Sequence, residues 1–541
     1  METGVVRSTF SDSALRNRQP SLRSVVRVRV FLGATATNGK DKNMSETETI
    51  LWFDFETFGS LSRPWDRGRS GPYRRRDRPS QFGAIRTNLD LQPVGDPIEI
   101  RCTPPIDEPP SIGACLVTGI GPQDTLDDGV PEHVFFEQVL EEMSTPGSIC
   151  TGWNSLGYDD DIIRFGAWRN LLPTYDREWK NGNRRFDLMA AFRMAWSTGR
   201  RDGIEWPTYE DGSLSLRLGE LASANGITEH AASAHDALGD VRATIEMARR
   251  LREANGRLWD HAISMGNKNE VKKIVDRPGE PFFMSVPGLG AARGHGTVGV
   301  VVASDGRNER VVIDLHGDPA EILALEPRQV HARFHGISED GERLPVRRLR
   351  VNSVPMVAIP EVLTRNPEAL AATGLDESTI NERMEFVRAN RAEITERLRL
   401  VMDDRPADDD DQVDAEEQLY GRFVGDGDGF AMAGARAGGP EELRRFIRTT
   451  RDDRLEELAF RFLARVHPEA LDDEEQARWS LHRRDRLTAP GGDGSPRAIE
   501  SLRAIEAARA EGTGDGRILD DVENWTRGMA ESVGLELPSS P

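Results

Sequence analysis

The chain is 541 residues long and carries 91 Asp and Glu against 70 Lys and Arg, a formal net charge of −21. That length exceeds a single core and predicts about three domains. The charge excludes a uniformly basic coat for nucleic acid, so any phosphate-binding surface must be a local stripe in a repulsive field. Cys102, Cys115 and Cys150 are odd in number and lack C-x-x-C spacing, which argues against a disulfide framework or a zinc site and fits a reducing cytoplasm. No apolar run reaches the roughly 18 residues that a membrane span needs.

Within an N-terminal extension, 1–47, residues 1–43 are rich in Arg and Ser and poor in acids, the composition of a transit peptide. Met44 is followed almost at once by a strand, so a start placed too far upstream, or a disordered extension, explains this segment more simply. The strand is LWFDFETF, Leu51 to Phe58. Its two-residue period puts Asp54 and Glu56 on one face. Two carboxylates at the end of a buried strand repel each other and are costly to desolvate unless a cation sits between them. Hard divalent ions such as Mg²⁺ take such oxygen ligands. For this triplet alone, two solvated acids at a strand end are an equal alternative.

Ser62 to Pro79 is a Pro-, Gly- and Arg-rich loop with Trp65 and Tyr73 interleaved, a composition suited to single-stranded nucleic acid, although a solvated insertion is the favoured reading. Gln81 to Asn88 and Pro97 to Cys102 are predicted strands joined by a turn, Pro131 to Met143 a helix, and Ser148 to Trp153 a further strand. In NSLGYDDDIIRF, Asn154 to Phe165, a turn feeds a helix with Asp159, Asp160 and Asp161 in its first turn, where the helix dipole by itself favours acids. Ser213 to Asn225 is a predicted helix ending at Gly226. Ala234 to Arg252 is another, opening on HDALGD, with His235 at its mouth and Asp240 about a turn inside. A His at a helix entrance beside an acid suits a general base next to a metal ligand, although a capping or merely exposed His is commoner.

Beyond Arg252, runs such as GTVGVVVA and RVVIDL, between Val286 and Val351, alternate with Gly and Asp turns. Glu361 to Met402 is helical, Asp403 to Glu417 reads as a solvated acidic linker, and Gln418 to Leu537 is helical with Gly-rich breaks. Lys268, Lys272 and Lys273 form a local positive patch.

The series D-x-E on a first strand, an acid opening a mid-domain helix and H-x4-D on a late helix resembles the DEDDh 3′-to-5′ exonucleases. DFETFG, RPSQFGAIRT, GWNSLGYDDDI, SLRLGELASANGI and AHDALGDVRATIEMA, followed by NKNEVKKIVD, VDAEEQLYGRF and EEQARWSLHRRDRLT, are similar to the bacterial exodeoxyribonuclease I family over nearly the whole chain. The resemblance implies an α/β fold. A ribonuclease-H-like exonuclease domain (48–255), a mixed sheet flanked by helices, would be followed by an SH3-like accessory domain ending in the acidic linker (256–410) and a helical C-terminal domain (411–541). It further implies two Mg²⁺ ions, replaceable by Mn²⁺, on Asp54, Glu56, Asp159 and Asp240, with His235 as general base and Glu56 and Arg217 against the substrate. The choice of Asp159 over its two neighbours rests on its place directly after Tyr158.

The implied activity is single-strand-specific 3′-to-5′ hydrolysis of DNA to nucleoside 5′-monophosphates, in repair and recombination, by a cytoplasmic monomer with no membrane association. The implied partners are single-stranded DNA and the acidic C-terminal tail of single-stranded DNA-binding protein. An RNA-acting relative and a non-catalytic strand-binding protein are the rival readings. The accessory domains argue against the first, and the filled catalytic positions against the second.

Overall fold

The computed structural model describes residues 48–59, 75–227, 236–336, 341, 343–403, 413–491 and 494–538. All of them lie in one compact unit, Glu46–Pro541. The Arg-rich insertion around Trp65 and Tyr73, and His235, lie outside the described residues.

The first sheet has the order β3-β2-β1-β4-β5. Strand β1, Thr49–Gly59, pairs antiparallel with β2, Arg78–Thr87, and parallel with β4, Ser148–Thr151. β3 is Ile98–Arg101 and β5 is Arg184–Arg185. A parallel neighbour requires a crossover, and helices α1 (Ile112–Thr118) and α2 (Glu132–Met143) lie between β3 and β4 in the chain. After β4 come α3 (Asp159–Arg169), α4 (Leu188–Ser197), α5 (Leu218–Ala224) and α6 (Ala237–Ala254).

The predicted period of β1 sorts its side chains into two layers. Leu51, Phe53 and Phe55 are buried with Phe135, Phe136 and Val139 of α2 and Ile162 and Ile163 of α3. Ile50 and Trp52 point the other way, into a cluster containing Leu238, Val241 and Ile245 of α6. Each such fully buried side chain contributes about 1.5–3 kcal/mol, so register is strongly specified. Asp54 and Glu56 follow Trp52 on the α6 side. At the end of β1 the pairing with β2 shifts register on both sides of Thr57, an irregularity of the kind that re-aims side chains beside functional sites.

A second five-stranded, antiparallel sheet has the order β10-β6-β7-β8-β9. Its strands are β6 (Pro281–Ser285), β7 (Thr297–Ser304), β8 (Glu309–Asp314), β9 (Val346–Arg350) and β10 (Met356–Ala358). β7 and β8 carry the two apolar runs seen in the sequence, whereas β6 precedes the stretch in which strands were expected. Trp259, Val271 and the interior of this sheet join the same cluster as Ile50 and Trp52, so the two sheets share one core.

From Val413 onward the chain is helical and folds back onto the first sheet. Leu443, Leu455, Leu458 and Phe462 close over Phe165 and Trp168 of α3 and Leu171 just beyond it. Ile505, Ile518 and Val522 cover Phe58, Ile112 and Cys115.

Three sequence expectations are corrected here. Residues 213–217 are not helical: Leu214 bridges Thr208, and Arg217 is the N-cap of the shorter α5. The acidic stretch is not solvated throughout, because Glu416 is fully buried and Asp414 sits in the same ionic cluster. Arg76 and Arg78, read as part of an exposed loop, are buried too.

These charges meet across the seam between the first sheet and the C-terminal helices. Arg78 of β2 donates to Glu416 (3.1 Å) and Asp107 (3.3 Å), and Arg465 donates to both acids (3.0 and 2.9 Å). Arg486 and Arg497 reach Glu108 at 3.1 and 3.3 Å, and Arg461 and Arg486 hold Asp414. Burial alone would raise the Glu416 carboxyl, but Arg78, Arg486, Arg465 and Arg461 hold it well below the usual carboxylate range.

A carboxyl depressed in the folded state stabilises the fold above its unfolded pKa of about 4.3 and loses that contribution as pH falls through and below it. The stabilisation that Glu416 contributes, read as the difference in thermal midpoint between wild type and Glu416→Ala, should therefore change little between pH 8 and about 5.5 and shrink steeply below about 4.5. Glu416→Ala strands buried guanidinium groups and should cost about 3–5 kcal/mol at neutral pH, read as a lowered unfolding midpoint. A neutral effect would mean that the seam relaxes to admit water.

Candidate active site

The acids of the D-x-E triplet lie where β1 meets the N-terminus of α6. Carboxylate oxygens of Asp54, Glu56 and Asp240 are within 4.8 Å of one another. Glu56 is 8 % exposed and Asp159 2 %. Asp159, the first residue of α3, is outside that trio, but of all neighbouring charges it acts most strongly on Asp54. Burial, then Asp159, Glu56, Asp240 and Asp236, raises the Asp54 carboxyl well above its ordinary value. Burial, with Asp240, Asp159 and Asp236, pushes Glu56 up to about 9. Three acids so close together, with the charge of a fourth acting on them, are mutually destabilising unless a cation is bound among them. A hard divalent cation would reverse the balance, and oxygen-only donors of this kind suit it. The donor set fits.

Backbone contact explains why two distant elements bring acids together. Asp54 lies opposite Gly83, and Glu56 opposite Gln81, in the β1–β2 register. A Cβ on Gly83 would stand 2.7 Å from Leu238 N and 2.8 Å from Ala237 C, so only glycine lets the start of α6 rest on β2. The Gln81 amide then ties the two together. Its Nε2 donates to Asp236 Oδ1 (3.0 Å) and Glu99 (2.9 Å), and its Oε1 accepts from Ala237 N (3.3 Å). Asp236 caps α6 by accepting from Gly239 N at 3.2 Å, one residue beyond His235 and one turn before Asp240.

The third acid is delivered by the turn after β4. Gly152 passes so close to β1 that a Cβ would meet Phe53 O at 2.4 Å. Asp187, at the N-cap of α4, accepts from the backbone N–H groups of Asn154, Leu156 and Ala190. Tyr158 Oη and Thr57 Oγ1 share a 3.1 Å hydrogen bond across to β1. The next three acids part company. Asp159 is buried and near enough for its charge to act on Asp54 and Glu56; Asp160 is paired with Arg177 (2.6 Å) and Arg185; Asp161 accepts from Tyr420 Oη at 3.0 Å.

Arg217 is exposed at the N-cap of α5, where its described partners are Glu220 (3.3 Å) and the ring of Tyr209 (5.7 Å). Lys268 and Lys272 lie on helix α7, Lys268–Val275, while Lys273 pairs with Glu270 at 2.7 Å.

Family models match the chain in three consecutive places: the exonuclease model over residues 51–248, the exonuclease I SH3-like domain over 266–404, and the exonuclease I C-terminal domain over 413–529. Exodeoxyribonuclease I of Escherichia coli K12 is 32 % identical over 449 residues, which cover 82 % of this chain and 90 % of that protein. The chain belongs to the exodeoxyribonuclease I family. A crystal structure of E. coli exonuclease I with a dA16 oligonucleotide superimposes with a TM-score of 0.77 at 30 % identity, over 90 % of this chain and all of that one. A crystal structure of SSB/exonuclease I with an inhibitor gives 0.77 at 28 % identity, with the same coverage of the two chains. The fold of this exonuclease I family member is accordingly an α/β exonuclease domain, an SH3-like domain and a helical C-terminal domain. Among the described residues no helix is long and apolar enough to cross a membrane.

Gln81, Gly83, Gly152, Asp187 and Asp236 were not singled out as site-building residues from the sequence. Two left a readable signal: an amide and a glycine in the predicted strand Gln81 to Asn88, where neither packs well without a partner across the sheet.

Proposed function

We propose that the chain is a Mg²⁺-dependent, single-strand-specific 3′-to-5′ exodeoxyribonuclease that releases nucleoside 5′-monophosphates in DNA repair and recombination. The convergence of Asp54, Glu56 and Asp240, with Asp159 beside them, carries the reading. These four acids would hold two Mg²⁺ ions, for which Mn²⁺ could substitute. When bound, divalent ions supply positive charge for the attacking water, the non-bridging oxygens and the leaving oxygen. His235 takes the proton of the water that attacks phosphorus, the bond from phosphorus to the 3′-oxygen breaks, and that oxygen is protonated as it leaves. Glu56 lies against the terminal nucleotide and Arg217 grips a backbone phosphate, for which an exposed guanidinium fork is suited.

In this reading the exonuclease domain comprises 48–255, the SH3-like domain and its acidic linker 256–410, and the helical domain 411–541. The enzyme works as a cytoplasmic monomer. The basic helix α7, with Lys268 and Lys272, is a candidate dock for the acidic tail of single-stranded DNA-binding protein, supported by charge complementarity.

The test digests 5′-labelled single-stranded DNA, blunt duplex and RNA side by side, with Mg²⁺, Mn²⁺ or chelator. Stepwise shortening of single-stranded DNA from the 3′ end, abolished by chelator and slow on the other two substrates, is expected. Equal digestion of RNA, or undiminished cleavage in chelator, overturns it.

A further inference from the structure

Helix α3 belongs to two cores at once. Ile162, Ile163 and Ala167 pack under β1 with the residues of α2. Phe165, Trp168 and Leu171 pack among the C-terminal helices, and Trp168 Nε1 donates to Ala415 O at 2.9 Å. The C-terminal residues nearest its first turn come from a short 3-10 helix, Ala415–Tyr420. There the Tyr420 hydroxyl donates to Asp161 Oδ1 at 3.0 Å and accepts from Arg164 Nη1 at 3.3 Å. The Tyr420 ring stands edge-on to Phe165 at 5.3 Å, and the Arg75 guanidinium lies 5.5 Å from the Phe165 ring and 5.8 Å from that of Tyr420. Residues 161, 164, 165 and 168 form one stripe at helical spacing, and the C-terminal region engages all four.

We infer that the C-terminal helical region positions the acid Asp159 through α3, and that Tyr420 is the positioning residue that sets the helix's first turn. The first turn is held from two sides: Asp160 by Arg177 and Arg185 of the exonuclease domain, Asp161 by Tyr420 of the C-terminal one. Asp159 directly precedes these two anchored residues in the helix, and its charge acts on the carboxylates of β1. Loss of the second anchor frees the turn to rotate while leaving the buried body of the helix in place. The inference rests on the proposed reading of Asp159 as a metal ligand.

The experiment uses the full-length chain and reads Mn²⁺ binding directly, by electron paramagnetic resonance of free ion, beside thermal unfolding. Groups bonded to a metal ligand change metal affinity by about 10- to 100-fold. Tyr420 acts through Asp161, two residues beyond Asp159, so Tyr420→Phe, which removes only the hydroxyl, should weaken Mn²⁺ binding by about 3- to 10-fold. The unfolding midpoint should barely move, and the rate at saturating metal should recover most of its wild-type value. Adding Asp161→Asn to Tyr420→Phe should produce no further loss, because the two share one contact.

Unchanged Mn²⁺ affinity in Tyr420→Phe overturns the inference. So does a loss that appears only in step with a lowered unfolding midpoint. Asp159→Asn separates the two levels. If it binds Mn²⁺ as wild type does, the metal-ligand reading of Asp159 falls, and the inference with it. If it loses Mn²⁺ while Tyr420→Phe does not, the positioning role alone falls.

Discussion

Asp54→Asn in the full-length chain should lower hydrolysis of single-stranded DNA by about 10³-fold or more, since a metal ion's contribution of several kcal/mol converts at tenfold per 1.36 kcal/mol. Asp54 is the position to test because burial and three other site acids all act on it. The same crowding predicts a second, opposite effect. A carboxyl raised by burial and like charge is a liability to the fold at neutral pH, so removing its charge at constant shape should leave the metal-free protein at least as stable as wild type. Single-stranded DNA should still bind in chelator, through contacts elsewhere along the chain. Digestion rate, unfolding midpoint in chelator and DNA affinity together check this; an active Asp54→Asn, or one that is inactive because it unfolds, counts against the site.

His235→Ala should reduce turnover by about 10² to 10⁴, the loss expected for a general base, with Mn²⁺ binding largely kept. His235 is not among the described residues, but its neighbour Asp236 is pinned by Gln81 and caps α6, and it is near enough for its charge to act on both Asp54 and Glu56. Single-turnover rates at saturating metal, with metal titrations in parallel, distinguish the two contributions. A near wild-type rate would assign the proton to another acceptor, whereas lost Mn²⁺ affinity would make His235 part of the metal site.

The seam charges also bear on how separable the domains are. The exonuclease domain contains every proposed catalytic acid, yet Trp168 on α3 is buried against the C-terminal helices, and Arg78 on β2 finds Glu416 there. Cutting the chain after the first domain would expose that face of α3 and leave Arg78 without Glu416. The C-terminal helices are thus part of how the exonuclease domain is packed, besides anything they do for a bound strand.

What the sequence determined by itself was whatever depends on local periodicity and residue chemistry. The alternation of β1 placed Leu51, Phe53 and Phe55 on one face and Asp54 and Glu56 on the other, and the apolar runs of β7 and β8 marked the second sheet. Tertiary structure decided the rest, because the deciding partners are far away in the chain. Asp159, Asp160 and Asp161 are chemically identical and all favoured by the helix dipole; only Arg177 and Arg185, Tyr420, and the crowd around Asp54 assign them different places. Glu416 and Arg78 are separated by 338 residues. In their own neighbourhoods one reads as an acidic linker and the other as a basic loop, since a lone charge is cheapest in water. Brought together with Asp107, Arg465 and Arg486, they neutralise one another, and burial becomes affordable only for the set.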